Sequence, residues 1–168
     1  MDNIAQKMPL LQSTVLNCNS FNDDANAPSK QRELVSYLGN VKILRPLDLG
    51  MSGSVVEIYE NSKKKRKSNT LPIFEVDFCN DSLCLIPVDE DEGQAIEFCL
   101  KRITCCGVDS KKKRIVVFNY HDTTSAQDGL HFQTHALLCD SEKTAKLLAI
   151  RIGEIFKDKQ TYQTKVTN

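Results

Sequence analysis

The chain lacks an excess of charge of either sign. Its 22 Lys and Arg balance 22 Asp and Glu over 168 residues, which removes the basic surplus that a general nucleic-acid coat needs and leaves room only for local basic patches. It has no apolar run approaching the roughly eighteen residues of a membrane span. It also lacks the apolar core of a secretory signal, since Met1 to Gln12 holds one Lys and a single short apolar piece, Met8-Pro9-Leu10-Leu11. No Cys-x-x-Cys pair occurs. The seven cysteines (Cys18, Cys79, Cys84, Cys99, Cys105, Cys106 and Cys139) are odd in number, and six of them sit in apolar, strand-like stretches. A disulfide framework or a zinc site calls for regular spacing in loops, so reduced, buried thiols in the cytosol are the reading that remains. No internal repeat is visible.

What is present suits one packed domain with flexible ends. Hydrophobic residues make up 40%, enough for a core at this length. Residues 1–30 are rich in Asn, Ser, Asp and Gln and read as a flexible arm. The domain is expected over 31–159, and 160–168 as a polar, flexible tail. Leu34 to Leu44 is a β-prone run that Pro46 ends. After a turn at Gly50 to Gly53, Ser54 is placed as a helix cap ahead of Val55, Val56, Ile58 and Tyr59. The run Lys63-Lys64-Lys65-Arg66-Lys67 follows as a solvated stretch. Strands are then expected at 73–78, 83–88, 95–100, 103–108, 115–120 and 130–139, separated by turn signals such as Asn80-Asp81-Ser82 and Ser110 to Lys113. Seven short strands point to a sandwich or barrel. Asp140-Ser141 supplies N-cap chemistry for a closing helix. Its apolar face is Ala145, Leu148, Ala149, Ile152 and Phe156, broadened by Leu147, Ile150 and Ile155.

Catalytic and metal constellations are weak. His121, His131 and His135 lie near Asp122 and Asp128, but nothing completes a ligand set with metal spacing, and they read as ordinary surface or strand histidines. Cys105-Cys106 has no partnered base or helix N-terminus to activate a thiolate. One of the pair is expected to face the core and the other the opposite face. Neither an enzyme nor a cofactor is implied.

Several short motifs, in order, carry a resemblance. Tyr37-Leu38-Gly39 on the first strand resembles the Tyr-Leu-Gly of phosphotyrosine-binding (PTB) domains. Ile103-Thr104-Cys105-Cys106-Gly107-Val108-Asp109 resembles their fifth strand, and Gly153-Glu154-Ile155-Phe156 the Gly-x-x-Phe of their last helix. His135 and Cys139 fall where the family's last strand often shows a His and a later Cys, while Thr134-His135-Ala136-Leu137 and Phe118-Asn119-Tyr120 depart from its usual wording. The helix inserted after the first strand is similar to the Disabled and Numb branch. The resemblance spans about residues 32 to 158.

It implies an α+β fold: a pleckstrin-homology-like, seven-stranded antiparallel sandwich or barrel, capped by a C-terminal helix and with a helix inserted after strand one. The implied function is that of a non-enzymatic cytoplasmic adaptor. An edge strand beside a helix can take up an extended peptide through its free backbone groups. The resemblance makes that ligand an Asn-Pro-x-Tyr-type segment of a receptor or signalling-protein tail, lying along Ile103, Thr104, Cys105, Cys106, Gly107, Val108 and Asp109 and walled by Ile150 and Phe156. Arg102, Arg114 and Arg151 are candidates for a phosphate pocket. Two alternatives stay open. One is a phosphoinositide module whose basic lip is Lys63, Lys64, Lys65, Arg66 and Lys67 with Lys111, Lys112, Lys113 and Arg114, held peripherally at the inner membrane surface. The other is a scaffold domain for one dedicated folded partner.

Overall fold

The computed structural model describes residues 32–44, 51–65, 70–123 and 132–165, the side chains of 51, 52, 92 and 156–165 excepted. The arm over residues 1–30, Arg66, Lys67 and His131 lie outside the described residues. Among the described residues seven strands and two α-helices follow in chain order: β1 (Glu33–Ile43), α1 (Met51–Lys65), β2 (Ile73–Cys79), β3 (Ser82–Pro87), β4 (Ile96–Cys99), β5 (Ile103–Val108), β6 (Ile115–His121), β7 (Phe132–Cys139) and α2 (Glu142–Lys165). The strands form one antiparallel sheet in the order β4-β3-β2-β1-β7-β6-β5.

Alternation decides which side chains go inside. In β2 and β3 every second residue, Phe74, Val76, Leu83 and Leu85, enters the main core. β6 is buried from Ile115 to Asn119 because both its faces are covered. Val116 and Phe118 join the main core with Ala145, Leu148 and Ile152 of α2, whereas Ile115 and Val117 meet Val55 and Ile58 of α1. The two helices thus cover opposite faces of the β7–β6 region.

The sheet curls back on itself. Phe98 of β4, near one end of the strand order, packs edge-on against Phe118 at 5.0 Å and Tyr120 at 5.5 Å near the other end. The Cys99 N–H donates to the Tyr120 hydroxyl at 3.3 Å. This closes the sheet into a sandwich-like barrel that α2 caps. β1 must serve both halves, pairing with β2 along its first part and with β7 along nearly all of it. It manages the bend with a bulge between Tyr37 and Gly39, where Gly39 takes φ +114°. A side chain there would be strained, which is the physical content of the Tyr-Leu-Gly sequence.

Both helices depart from the expected boundaries. α1 begins at Met51, so the expected turn at Gly50 to Gly53 is largely helical and Ser54 is a buried interior residue rather than a cap. Lys63 to Lys65 form the last turn of α1 and not a run beyond it. Cations suit that end because the carbonyl dipoles point toward them. In α2, Ser141 caps as expected, its Oγ accepting the Thr144 N–H at 3.1 Å. Leu147 and Ile150, expected to widen the buried face, are 51% and 55% exposed. The apolar stripe is narrower than composition suggested, and α2 runs on to Lys165, past the Lys159 where its apolar pattern stops, since propagating a formed helix needs only one more backbone bond per residue.

Candidate peptide-binding site

β5 is an edge strand and pairs only with β6 among the described residues. A bulge between Ile103 and Cys105 resets its phase. Ile103 points into the core, and after the bulge Cys106 and Val108 also pack on it. Cys105 and Gly107 take the opposite face. The expected split of the two cysteines between the faces is therefore what the strand adopts. The backbone phase follows from Asp109, whose N–H donates to the Ile115 carbonyl at 2.9 Å. Along an antiparallel ladder these bonds alternate, so Gly107 also turns its groups toward β6. Cys106 and Val108 turn theirs to the free edge.

α2 lies along β5 and reaches the 3-10 turn Leu100–Arg102 that precedes it. Arg151 marks the flank of α2 that faces away from β5. Its guanidinium lies 3.4 Å from Glu33 Oε2 and 4.3 Å above the Phe78 ring. Ala149 and Gly153 are each two residues from Arg151, which places them about 200° around the axis, on the side of β5. A Cβ added at Gly153 would meet nothing within 4 Å, so this flank has open space beside it. Ile150 is exposed next to it. The side chain of Phe156 is outside the described residues; its backbone continues α2.

Asp109, the last residue of the fifth-strand motif, lies just beyond β5 and is buried. Its carboxylate accepts the N–H groups of Lys111 at 3.1 Å and Lys112 at 2.6 Å. It therefore shapes the basic turn into β6. That turn meets the end of α1: Lys112 Nζ and Lys63 Nζ lie 4.2 and 4.3 Å from the centroid of the same ring, Tyr59. Lys63 and Lys112, far apart in sequence, are thus neighbours. Of the three arginines considered for a phosphate, Arg114 donates through Nε to the Cys139 carbonyl at 3.0 Å and Arg151 is engaged as above. Arg102 stands at the start of β5, half-buried.

A family model described as the phosphotyrosine interaction domain (PTB/PID) matches residues 33–163. The chain belongs to this family. The PTB domain is also similar in fold to the C-terminal phosphotyrosine interaction domain of mouse APBB2, a solution structure, with a TM-score of 0.52 and 16% identity over 82% of this chain and 94% of that one. No curated protein matches the sequence significantly. PTB domains are in general protein–protein adaptors that bind peptides, and the seven-stranded sheet with its C-terminal helix is the pleckstrin-homology-like fold.

Burial favours the neutral forms of Cys106, Cys139 and His135 inside this PTB domain. Burial pushes the Cys106 thiol up to about 12, helped by its neighbour Cys105, which is the reverse of what a nucleophile needs. Burial, with Asp140 and Glu33 adding to it, does the same to Cys139, also to about 12. Of the two readings open to it, surface or strand, His135 is a strand histidine, on β7. It is buried among Tyr37, Phe98, Phe118 and Tyr120, its Nδ1 lies 2.8 Å from the Tyr37 hydroxyl, and burial lowers its pKa to about 4. Among the described residues no three His, Cys, Asp or Glu side chains gather to hold a metal ion, and no helix is long and apolar enough to cross a membrane.

Proposed function

We propose that this PTB domain is an adaptor that takes an Asn-Pro-x-Tyr-type tail peptide as an extra strand on β5. The observation that carries the reading is the outward backbone of Cys106 and Val108 on an edge strand, beside a helix flank left open at Gly153. Backbone pairing supplies affinity with little sequence choice. Choice then comes from the α2 wall, Ile150 and Phe156, and from the end of β5. An antiparallel ligand strand runs from Val108 toward Ile103, so its Asn-Pro turn leaves beside Arg102 and α2. Asp109 contributes by holding the turn that follows β5. The helix inserted after β1 supports a place in the Disabled and Numb branch. Titration of an Asn-Pro-x-Tyr peptide, with and without phosphate on its tyrosine, tests the reading. No saturable binding of either form would overturn it, and a preference for the phosphorylated form that Arg102→Ala removes would assign the phosphate to that residue.

A second reading concerns anionic lipid, and one observation favours it. Lys63 of α1 and Lys112 of the turn into β6 share Tyr59, so one lysine from each basic run stands at the same place. Each such cation near an anionic surface adds about 1 kcal/mol. On this reading the adaptor works at the inner membrane surface, where receptor tails emerge, and lipid and peptide bind at separate places. Sedimentation with anionic vesicles tests it.

A further inference from the structure

The outward face of β1, β2 and β3 carries a second surface, remote in chemistry from both sites above. The alternation that sends Val35, Phe74, Val76 and Leu85 into the core sends Leu34, Ile73 and Ile86 outward. The register sets Leu34 and Ile86 on either side of Glu75. Val88 lies beside Ile73, donating its N–H to the Ile73 carbonyl at 2.9 Å. Leu34, Ile73, Ile86 and Val88 are 42, 47, 41 and 60% exposed. One exposed isoleucine on a strand needs no explanation. Four adjoining apolar side chains across three strands make a contiguous patch. It extends toward α1, because Ser36 links Ile73 to Leu138 across the sheet and Leu138 is half-buried against the α1 cluster.

The rim of this patch is acidic. Asp89, Glu90 and Asp91 follow Val88 directly and are exposed. Asp77 and Glu97 share the next outward row, on either side of Cys84. Glu75 stands within the patch, partnered by Arg32 at 3.4 Å. Lys63 and Lys112 lie elsewhere, at Tyr59. Among the described residues, the apolar face is therefore flanked by carboxylates on two sides.

We propose that this face docks an amphipathic helix of a partner protein, its apolar stripe on Leu34, Ile73, Ile86 and Val88 and its Lys or Arg flank against Asp89, Glu90 and Asp91. The backbones of β2 and β3 are paired on both sides, so strand addition has no free edge here. Three strands about 4.8 Å apart present a width of roughly 10 Å, that of one helix. The carboxylate rim selects a basic partner and repels an acidic one. Such a site leaves β5 free, so the domain would hold a tail peptide and a basic helix at once.

The test uses the full chain and two synthetic amphipathic helices of equal length, one of Leu and Lys, the other of Leu and Glu. The Leu/Lys helix should bind by calorimetry, less well as salt rises, and the Leu/Glu helix should not. The pair Ile86→Lys and Val88→Lys should weaken Leu/Lys binding at least about tenfold. The triple change Asp89→Asn, Glu90→Gln and Asp91→Asn keeps every apolar contact and should weaken it similarly, so the proposal stays testable if the first variant folds poorly. Asn-Pro-x-Tyr peptide binding should be unchanged in both, which separates this face from β5. Equal Leu/Lys affinity in all variants would overturn the proposal. So would sedimentation equilibrium showing a dimer of the chain that Ile86→Lys with Val88→Lys abolishes, for the face would then belong to a second copy.

Discussion

The Asp109 N–H donates to the Ile115 carbonyl at 2.9 Å, and this one bond fixes which backbone groups of β5 a ligand can reach. Counting back along the ladder, Gly107 faces β6 and Cys106 faces out. Proline removes an N–H donor, so its effect depends on the residue replaced. Cys106→Pro should leave the β5–β6 ladder paired, its cost in stability being that of the Cys106 contact with the core, yet lose most binding of an Asn-Pro-x-Tyr peptide. Gly107→Pro should instead break a ladder bond and lower the melting temperature, with a cost of about 1–3 kcal/mol. Titration calorimetry and thermal melts on both variants check this. Full peptide affinity in a folded Cys106→Pro protein would move the site away from β5.

Gly153 tests the helix side of the same groove. A glycine inside a helix costs about 1 kcal/mol relative to alanine, and a Cβ here meets no atom within 4 Å. Gly153→Ala should therefore raise stability by up to about that amount. Gly153→Leu should fold as well but fill the space the peptide needs, so that stability and binding move in opposite directions. Phe156→Ala is the complementary change, removing rather than filling. Loss of an aromatic anchor at such a contact costs about 2 kcal/mol or more, roughly a thirtyfold loss of affinity. Unchanged affinity in both Gly153→Leu and Phe156→Ala would exclude α2 as a wall.

The strands were legible because their chemistry is local. Turn signals such as Asn80, which takes φ 51° between β2 and β3, bound each run, and alternation does the rest. The edge position of β5 was an expectation drawn from resemblance, and the strand order is a non-local property that no single strand encodes. Helix limits were less legible. Ser54 looks like a cap because caps and buried small polar residues share one residue type, and only the packing of Val55 and Ile58 on β6 and β7 tells them apart. The meeting of Lys63 and Lys112 on Tyr59 was invisible, since it depends on α1 crossing the sheet to the turn that Asp109 shapes. The burial of His135 was not legible for the same reason: the rings around it come from β1, β4 and β6, none adjacent to it in sequence.

Tyr59 gives the membrane reading a discriminating test. Replacing Lys63, Lys64, Lys112 and Lys113 with Gln should reduce sedimentation with anionic vesicles at low salt at least tenfold, as about four favourable contacts are removed at about 1 kcal/mol each. Binding by the unchanged protein should itself fall steeply as ionic strength rises, because screening acts over about 8 Å at physiological salt. Tyr59→Leu keeps the charges but removes the ring that both ammonium groups rest on. It should weaken vesicle binding less than the charge change does. Undiminished sedimentation after the fourfold change would remove lipid from the account of these lysines.

Buried His135 makes a prediction about acid stability whose sign is set by its surroundings. Burial lowers its pKa from 6.5 to about 4, partly opposed by Asp122. The unfolded chain therefore takes up a proton at a higher pH than the folded one. Above the unfolded value both states are neutral and the full stability is present. As the pH falls from about 6.5 to about 4, the unfolded state alone binds the proton and stability is lost, levelling off below the folded value. Between about pH 7 and about pH 5 this one group should cost about 2 kcal/mol. Other groups titrate in the same window, so the measurement is a difference. Urea unfolding of the natural protein and of His135→Gln at both pH values should show the loss in the first and a much flatter response in the second. His135→Gln will itself be less stable, since it disturbs the ring contacts and the 2.8 Å bond to Tyr37, but that penalty does not vary with pH. Parallel pH profiles for the two proteins would mean that the imidazole is protonated inside the barrel as readily as outside it.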